Sequence, residues 1–540
     1  MDMDKDYGRD NIQFFRITIS KITTFFFLFS FLHCFVHSIV QSVLFSFDND
    51  ADGRVSTILK EADVPKDQVA WLQRHDGDFT LKLCKHVPVT REHQDLCELI
   101  FQSGAGLINV PPGFRTRDVQ DPVVEELKTS TNATPVEDPS GVIGVEFSSI
   151  AVDNGDQVFL NGTCTRVLIY ADQVLKNSKR EELALIGSEF WLLGISVFAI
   201  MYDSIPHLLA GFFMRVLSTT WSAYEIWRTL DIHRRFDALI TNGPCGIDLF
   251  PHYFHKRVSV QIVDLVLNVI ALGLSCYLVW KLVKTYAKCM FTRVGAPKHL
   301  IKRYRYFLGV FICLQMSVYL LVAAMSLWID QLINGALVNI SSHNTAYLIA
   351  FTIANVLLIP WIATGWFSVR REMRRTMIAF LIAGLIYVGG WSILYYSQVF
   401  RWTWIQWPFF ACLSVSAQLV QLVSIVLGIV CWRNFHQGLA QYFYANHLLT
   451  RSDFEPEVFP HNVQSKGGDK DDDLEKHPFE VDFKIVNVLL PRDTNRDTDT
   501  EAEARSHSDV ASDFDRVLDL KPDRKTDSKK NREVKIDGLQ

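Results

Sequence analysis

Arg215 is the residue whose chemistry most needs a reason. It stands near the middle of an apolar stretch, residues 206–227. At the centre of a bilayer a charge costs about 2.5–3.5 kcal/mol on insertion scales. Three acids stand close enough in neighbouring apolar stretches to answer it: Glu189, Glu225 and Asp264. Each lies within about two helical turns of the outer end of its helix, and arginine is long enough to reach up to them. The expectation is a buried Arg–acid cluster facing the interior of a helical bundle. Such a cluster is either a site for an anionic or polar ligand or a charge relay. The plainer alternative is a structural ion pair that sets helix packing.

Other groupings carry weaker signals. Asp48-Asn49-Asp50-Ala51-Asp52-Gly53 has the alternating oxygens and turn glycine of the first half of a calcium loop. Leu59 stands where the bidentate Glu belongs, and Glu61 is two residues late, so Asp48, Asp50 and Asp52 make only a weak metal candidate. His252 and His255, with His233 and Asp248, have HxxH spacing in a loop at 228–257, but no third ligand is fixed by spacing. No GxSxG, HExxH or phosphate-loop pattern occurs. Only His207 falls within an expected span, which argues against a multi-histidine intramembrane hydrolase. No enzyme and no cofactor are expected. Trp402, Trp404 and Trp407 read as an interfacial aromatic belt. Pro360 and Gly389-Gly390 read as a kink and a close-packing or bending point.

These residues need helices to hold them. The chain has 540 residues, 49% of them hydrophobic, an average value for a globular protein. The apolar residues fall in blocks of about twenty, which suits spans rather than core helices. With 54 basic and 59 acidic residues, a nucleic-acid surface is excluded as the main theme. Seven spans are expected, at about 183–202, 206–227, 258–280, 306–329, 346–368, 377–396 and 408–431. Residues 281–305 carry eight Lys/Arg and no acid, and 369–376 carry four Arg against Glu372, so both are expected inside. Asn132, Asn161 and Asn339 head Asn-x-Ser/Thr acceptors for glycosylation and are expected outside. Dropping 206–227 would reverse these placements, so parity requires that weak span. Cys84, Cys97, Cys164 and Cys245 then all face the oxidising side. Three pairings are possible, of which Cys84–Cys97 with Cys164–Cys245 is favoured.

Residues 1–42 read as a secretory signal peptide cut after Ser42, with a retained signal anchor as the alternative. His33, His37 and Gln41 make residues 22–40 a poor span. Residues 43–182 read as a small β-rich extracellular or lumenal domain. Its expected strands lie at 78–84, 144–152 and 157–170, with a long loop at 116–141. Residues 432–450 have the spacing of an amphipathic helix on the inner leaflet. Residues 451–540 hold 16 basic and 23 acidic residues and few aromatics, the composition of a disordered cytoplasmic tail.

Residues 203–210 (DSIPHLLA), 280–285 (WKLVKT), 293–296 (RVGA), 327–332 (LWIDQL) and 400–404 (FRWTW) resemble a family of fungal multi-pass, seven-span membrane proteins. The likeness covers about residues 200–440 and implies the topology without importing a function. The Asp-Arg-Tyr and Asn-Pro-x-x-Tyr motifs of G-protein-coupled receptors are absent, so that comparison is topological only. The fold expected is therefore an α-helical polytopic membrane protein with seven helices. A receptor-like sensor fits its asymmetry of parts, with an extracellular ligand outside and a signalling or trafficking partner on the tail inside. A transporter or channel using the Arg/acid cluster is the alternative, although no inverted repeat is visible. A structural or trafficking role is the third reading. Besides the lipid bilayer, no partner is identified, and nucleic acid is not expected. The final DGLQ is no retrieval signal, which favours the cell surface.

Overall fold

The structure is a computed structural model. It describes residues 20–65, 67–75, 78–88, 94–103, 132–139, 141–148, 158–294, 298–335, 338 and 344–435. The expected tail at 451–540, nearly all of the expected amphipathic helix at 432–450, and Asn339 lie outside the described residues.

Helix α1 spans Lys21–Glu61. Ser20 caps it, its hydroxyl accepting from the Ile22 amide at 3.3 Å. Its buried positions step by three and four: Phe26, Ser30, Cys34, His37, Gln41, Leu44, Asp48, Ala51, Val55 and Ile58. That spacing keeps one stripe facing neighbouring helices throughout. Its length of 41 residues corresponds to about 60 Å at 1.5 Å per residue, twice a bilayer core. The exposed large apolar side chains of α1 run from Phe25 to Val43, and none occurs in the 18 residues after Val43. The helix runs without a break through Ser42, where the sequence suggested a cut.

Two three-stranded antiparallel sheets follow. In the first, β1 (Val69–His75), β2 (Asp78–Cys84) and β3 (Glu98–Gln102) form a meander. In the second, β4 (Asn132–Asp138), β5 (Gly141–Ser148) and β6 (Val158–Asn161) do the same. Strand β4 occupies part of the stretch expected as a loop. The strand expected at 157–170 stops at Asn161, because the Asn161 side chain accepts from the Cys164 amide at 2.7 Å and starts a helix.

That helix, α2 (Gly162–Met201), returns antiparallel along α1. Then come α3 (Ile205–Phe236), a π-helical turn at Asp237–Thr241, and α4 (Tyr253–Val294). The chain continues with α5 (Lys298–Asn334), α6 (Asn344–Arg370), α7 (Arg374–Leu394), the short α8 (Gln398–Gln406) and α9 (Pro408–Arg433). Seven of the described helices are long and apolar enough to cross a membrane: α1, α2, α4, α5, α6, α7 and α9. The number matches the sequence expectation, but the set differs. Helix α1 enters it, and α3, with Arg215, Glu225 and Arg228, does not.

Three larger apolar cores hold these parts, and a small fourth joins Val69, Cys84 and Val87 to Trp402. The upper half of α1, the start of α2 and both sheets share one, around Ile58, Leu81, Leu160 and Leu168. A second, at the opposite end of α1–α4, contains Phe26, Ile200, Leu208 and Leu282. The third fills α5–α9 with aromatics such as Trp328, Phe380, Phe400 and Phe410. Close packing there uses Gly365 rather than Gly389-Gly390. A Cβ on Gly365 would stand 2.7 Å from the Phe380 ring, whereas one on Gly389 or Gly390 would meet nothing within 4 Å.

Candidate functional site

The polar residues of α1, α2, α3 and α4 meet inside this four-helix group in two layers. The deep layer surrounds Arg215. Its Nη1 lies 3.0 Å from His33 Nδ1, and its guanidinium lies over the Phe29 ring at 5.2 Å. The same His33 Nδ1 lies 3.0 Å from Glu189 Oε2. One ring nitrogen cannot donate to Glu189 and accept from Arg215 at once, so the proton position selects between these bonds. His37 Nε2 lies 2.8 Å from Asp264 Oδ1. Asp264 also accepts from Gln41 Nε2 at 2.9 Å, Ser222 Oγ at 2.7 Å and Asn268 Nδ2 at 3.0 Å. Below Arg215 the apolar core around Phe26 and Leu208 closes the group.

The outer layer surrounds Arg257. Its guanidinium bonds Asp48, and its Nη2 donates to Glu182 at 2.8 Å and Glu225 at 3.0 Å. Tyr253 donates its hydroxyl to Asp48 at 2.7 Å, and Gln261 donates to Glu225 at 2.8 Å. Beside them Arg228 grips Glu181 with both Nη atoms, at 2.8 and 2.5 Å. Four carboxylates thus face two guanidiniums, all of them buried. Asp48 Oδ2, Glu182 Oε2 and Gln261 Oε1 have no hydrogen-bond partner among the described residues. A cavity of about 10 Å³, room for roughly one water, touches both Glu225 and Asp264 and so lies between the layers.

The outer layer connects to a larger cavity at the sheet end. Trp407, only 1% exposed, donates its indole N–H to Glu181 Oε1 at 2.6 Å. Its other side lines a cavity of about 390 Å³, together with Lys60, Gln173, Arg180, Thr403 and Gln406. This size is within the usual range for small-molecule sites. Two disulfides brace the same end: Cys84–Cys97 beside β1–β3, and Cys164–Cys245 between α2 and the turn after α3. Arg166 on α2 forks onto Glu98 of β3 and holds that carboxyl below the usual range.

Of the four cluster residues expected from sequence, Arg215, Glu189 and Asp264 join one network, whereas Glu225 binds Arg257 instead. His33, His37 and Gln41 were set aside as unfit for a span, yet they are the links between Arg215, Glu189 and Asp264. Their helical spacing of four is the signal that was available. Arg228 and Arg257 were missed because α3 and α4 extend beyond the apolar windows. Asp48, Asp50 and Asp52 do not form a calcium loop. They are helical, so Asp50 points outward while Asp48 and Asp52 bind Arg257 and Lys179. His252 and His255 are exposed and His233 stacks on Phe254, and no metal-holding group of three such side chains occurs among the described residues. Trp402 and Trp407 are buried rather than belt residues. Asn161 is exposed at its helix cap, and Asn132 opens β4.

No family model, no curated protein and no solved structure matches the chain.

Proposed function

We propose that the chain is a receptor-like multi-pass membrane sensor that takes an extracellular ligand at its sheet end. One observation carries the reading: Trp407 forms part of the 390 Å³ cavity wall and bonds directly to Glu181 in the buried outer layer. A ligand that moves Trp407 changes the Glu181–Arg228 pair, and through Glu225 and the small cavity it reaches Asp264. In this reading α1 is a retained span, since its removal strips His33, His37 and Gln41 from Glu189 and Asp264. Helix α3 crosses as well, with Arg215, Glu225 and Arg228 buried against its neighbours. Eight crossings then put residue 20 and the basic segments inside, and both sheets outside. The apolar core below Arg215 argues against a continuous transport path through α1–α4. The tail at 451–540 is the proposed contact for inner partners, and the cell surface is the proposed location.

The test compares cells lacking the protein with cells carrying three versions: native, Thr403→Trp to fill the cavity, and a deletion of 451–540. Surface levels are matched by labelling. The reading expects both altered chains to reproduce the null phenotype. Native behaviour from both would sink it.

A further inference from the structure

The outer cavity has a neighbour. A second cavity of about 730 Å³ lies between α1, α2 and α5, walled by Leu183, Gly187, Trp191, Val322 and Leu327. Leu183 is 63% exposed and Val322 39%, so this cavity opens sideways at the level of the apolar helix surfaces. The two cavities share Lys176, Arg180 and Asn334. The first has a mixed polar and apolar wall at the sheet end, the second is mostly apolar, and basic side chains stand where they meet.

We infer that the two cavities form one site for an anionic single-chain lipid drawn from the outer leaflet. Its acidic headgroup lies at Arg180 and Lys176, and its acyl chain runs along Gly187 and Trp191. This rests on the sensor reading and names its ligand class. Arg180 uses Nε on Asp330 and Nη1 on Gln331 and Asn177, at 2.6 and 3.0 Å for the last two. Its Nη2 has no partner among the described residues. Lys176 spends one bond on Asp172, at 2.8 Å, and keeps two protons for a ligand. Lys60, Lys176, Lys179 and Arg180 line the joined space; Asp172, Asp330 and Asp52 answer three of these charges, which leaves one positive charge in excess for a phosphate or carboxylate. Both volumes lie within the span of ordinary ligand sites. A water-soluble anion uses only the first cavity, and a neutral lipid leaves the basic junction unused.

Gly187 supplies a clean test. A Cβ there meets nothing within 4 Å, so Gly187→Leu starts its side chain in open space, adds bulk to the apolar cavity wall and favours the helix. Gly194, two turns on in the same helix, also meets nothing and makes Gly194→Leu the control. The full chain is reconstituted in phosphatidylcholine nanodiscs and given lysophosphatidic acid carrying a photoreactive group on its acyl chain. We expect adducts concentrated at 183–191 and 318–327. Gly187→Leu should weaken binding about tenfold or more, the equivalent of about 1.4 kcal/mol, while Gly194→Leu leaves it unchanged. Unlabelled lysophosphatidic acid should compete, and glycerol phosphate should not. Adducts spread equally over α6 and α7, or native binding by Gly187→Leu, overturn the inference. Competition by glycerol phosphate at equal potency also overturns it, leaving a soluble anion in the outer cavity and the sensor reading intact.

Discussion

Replacing Arg257 should be the most damaging single change in the helical part of the molecule. Its guanidinium serves Asp48, Glu182 and Glu225, all at most 2% exposed. Breaking one buried pair costs about 3–5 kcal/mol, because the remaining charge is stranded. Arg257→Gln strands three acids, so about 5 kcal/mol is expected. Arg257→Lys keeps the charge but loses the fork, and a loss of about 1.5–3 kcal/mol, one charged hydrogen bond, follows. Adding Asp48→Asn and Glu182→Gln to Arg257→Gln removes two stranded charges and should recover part of the loss. The assay is thermal unfolding of the detergent-solubilised full chain, followed by tryptophan fluorescence. At about 2–4 °C per kcal/mol for a unit of 150–250 residues, Arg257→Gln should fall by about 10–20 °C. Arg401→Gln, at an exposed position, should stay within about 0.5 kcal/mol of native. A midpoint for Arg257→Gln equal to that of Arg401→Gln refutes the reasoning. A triple variant less stable than the single one does so too.

Three further outcomes follow from the same geometry. Losing Cys164–Cys245, which spans 81 residues, should cost about 4.5 kcal/mol by chain entropy, against about 3 kcal/mol for Cys84–Cys97 across 13 residues; non-reducing melts of the Cys→Ser pairs give the order. Asn161→Ser keeps a helix cap whereas Asn161→Ala loses about 1 kcal/mol, and both should lose any endoglycosidase-sensitive mass at that position, so stability and mass separate the two roles. An epitope placed before Lys21 should stay on the mature membrane protein; its quantitative loss would mean that α1 is removed and that the deep layer cannot form as described.

The sequence was most readable where lipid-like periodicity was continuous. The stretches at 306–329, 346–368, 377–396 and 408–431 all lie mainly in helices α5, α6, α7 and α9. That Cys84, Cys97, Cys164 and Cys245 pair with one another was also legible, because topology placed four thiols on one side, but it left three pairings open and the structure shows Cys84–Cys97 with Cys164–Cys245. What was not legible depends on which side of a helix a polar residue faces. Hydropathy averages around the helix, so His33, His37 and Gln41 counted against a span although all three turn toward partners. Strand-like alternation in 163–170 was overridden by the Asn161 cap and by burial on α2. Arg228 and Arg257 sit beyond the apolar windows, on helices that outrun them, and nothing local marks them as partners of acids up to 209 residues away.

The central claim is that the polar interior is reached from the sheet end and closed from the basic end. It is tested by single cysteines in a background lacking Cys34, Cys276, Cys289, Cys313, Cys412 and Cys431, the cysteines outside the two disulfides. Thr403→Cys reports the outer cavity, Ser218→Cys the small cavity between the layers, and Leu208→Cys the apolar core beneath Arg215. A membrane-impermeant thiol reagent is applied to each side in turn. The account predicts that Thr403→Cys reacts only from the sheet side and Leu208→Cys from neither. Reaction of Leu208→Cys or Ser218→Cys from the basic side would reveal a path through the four helices and contradict it.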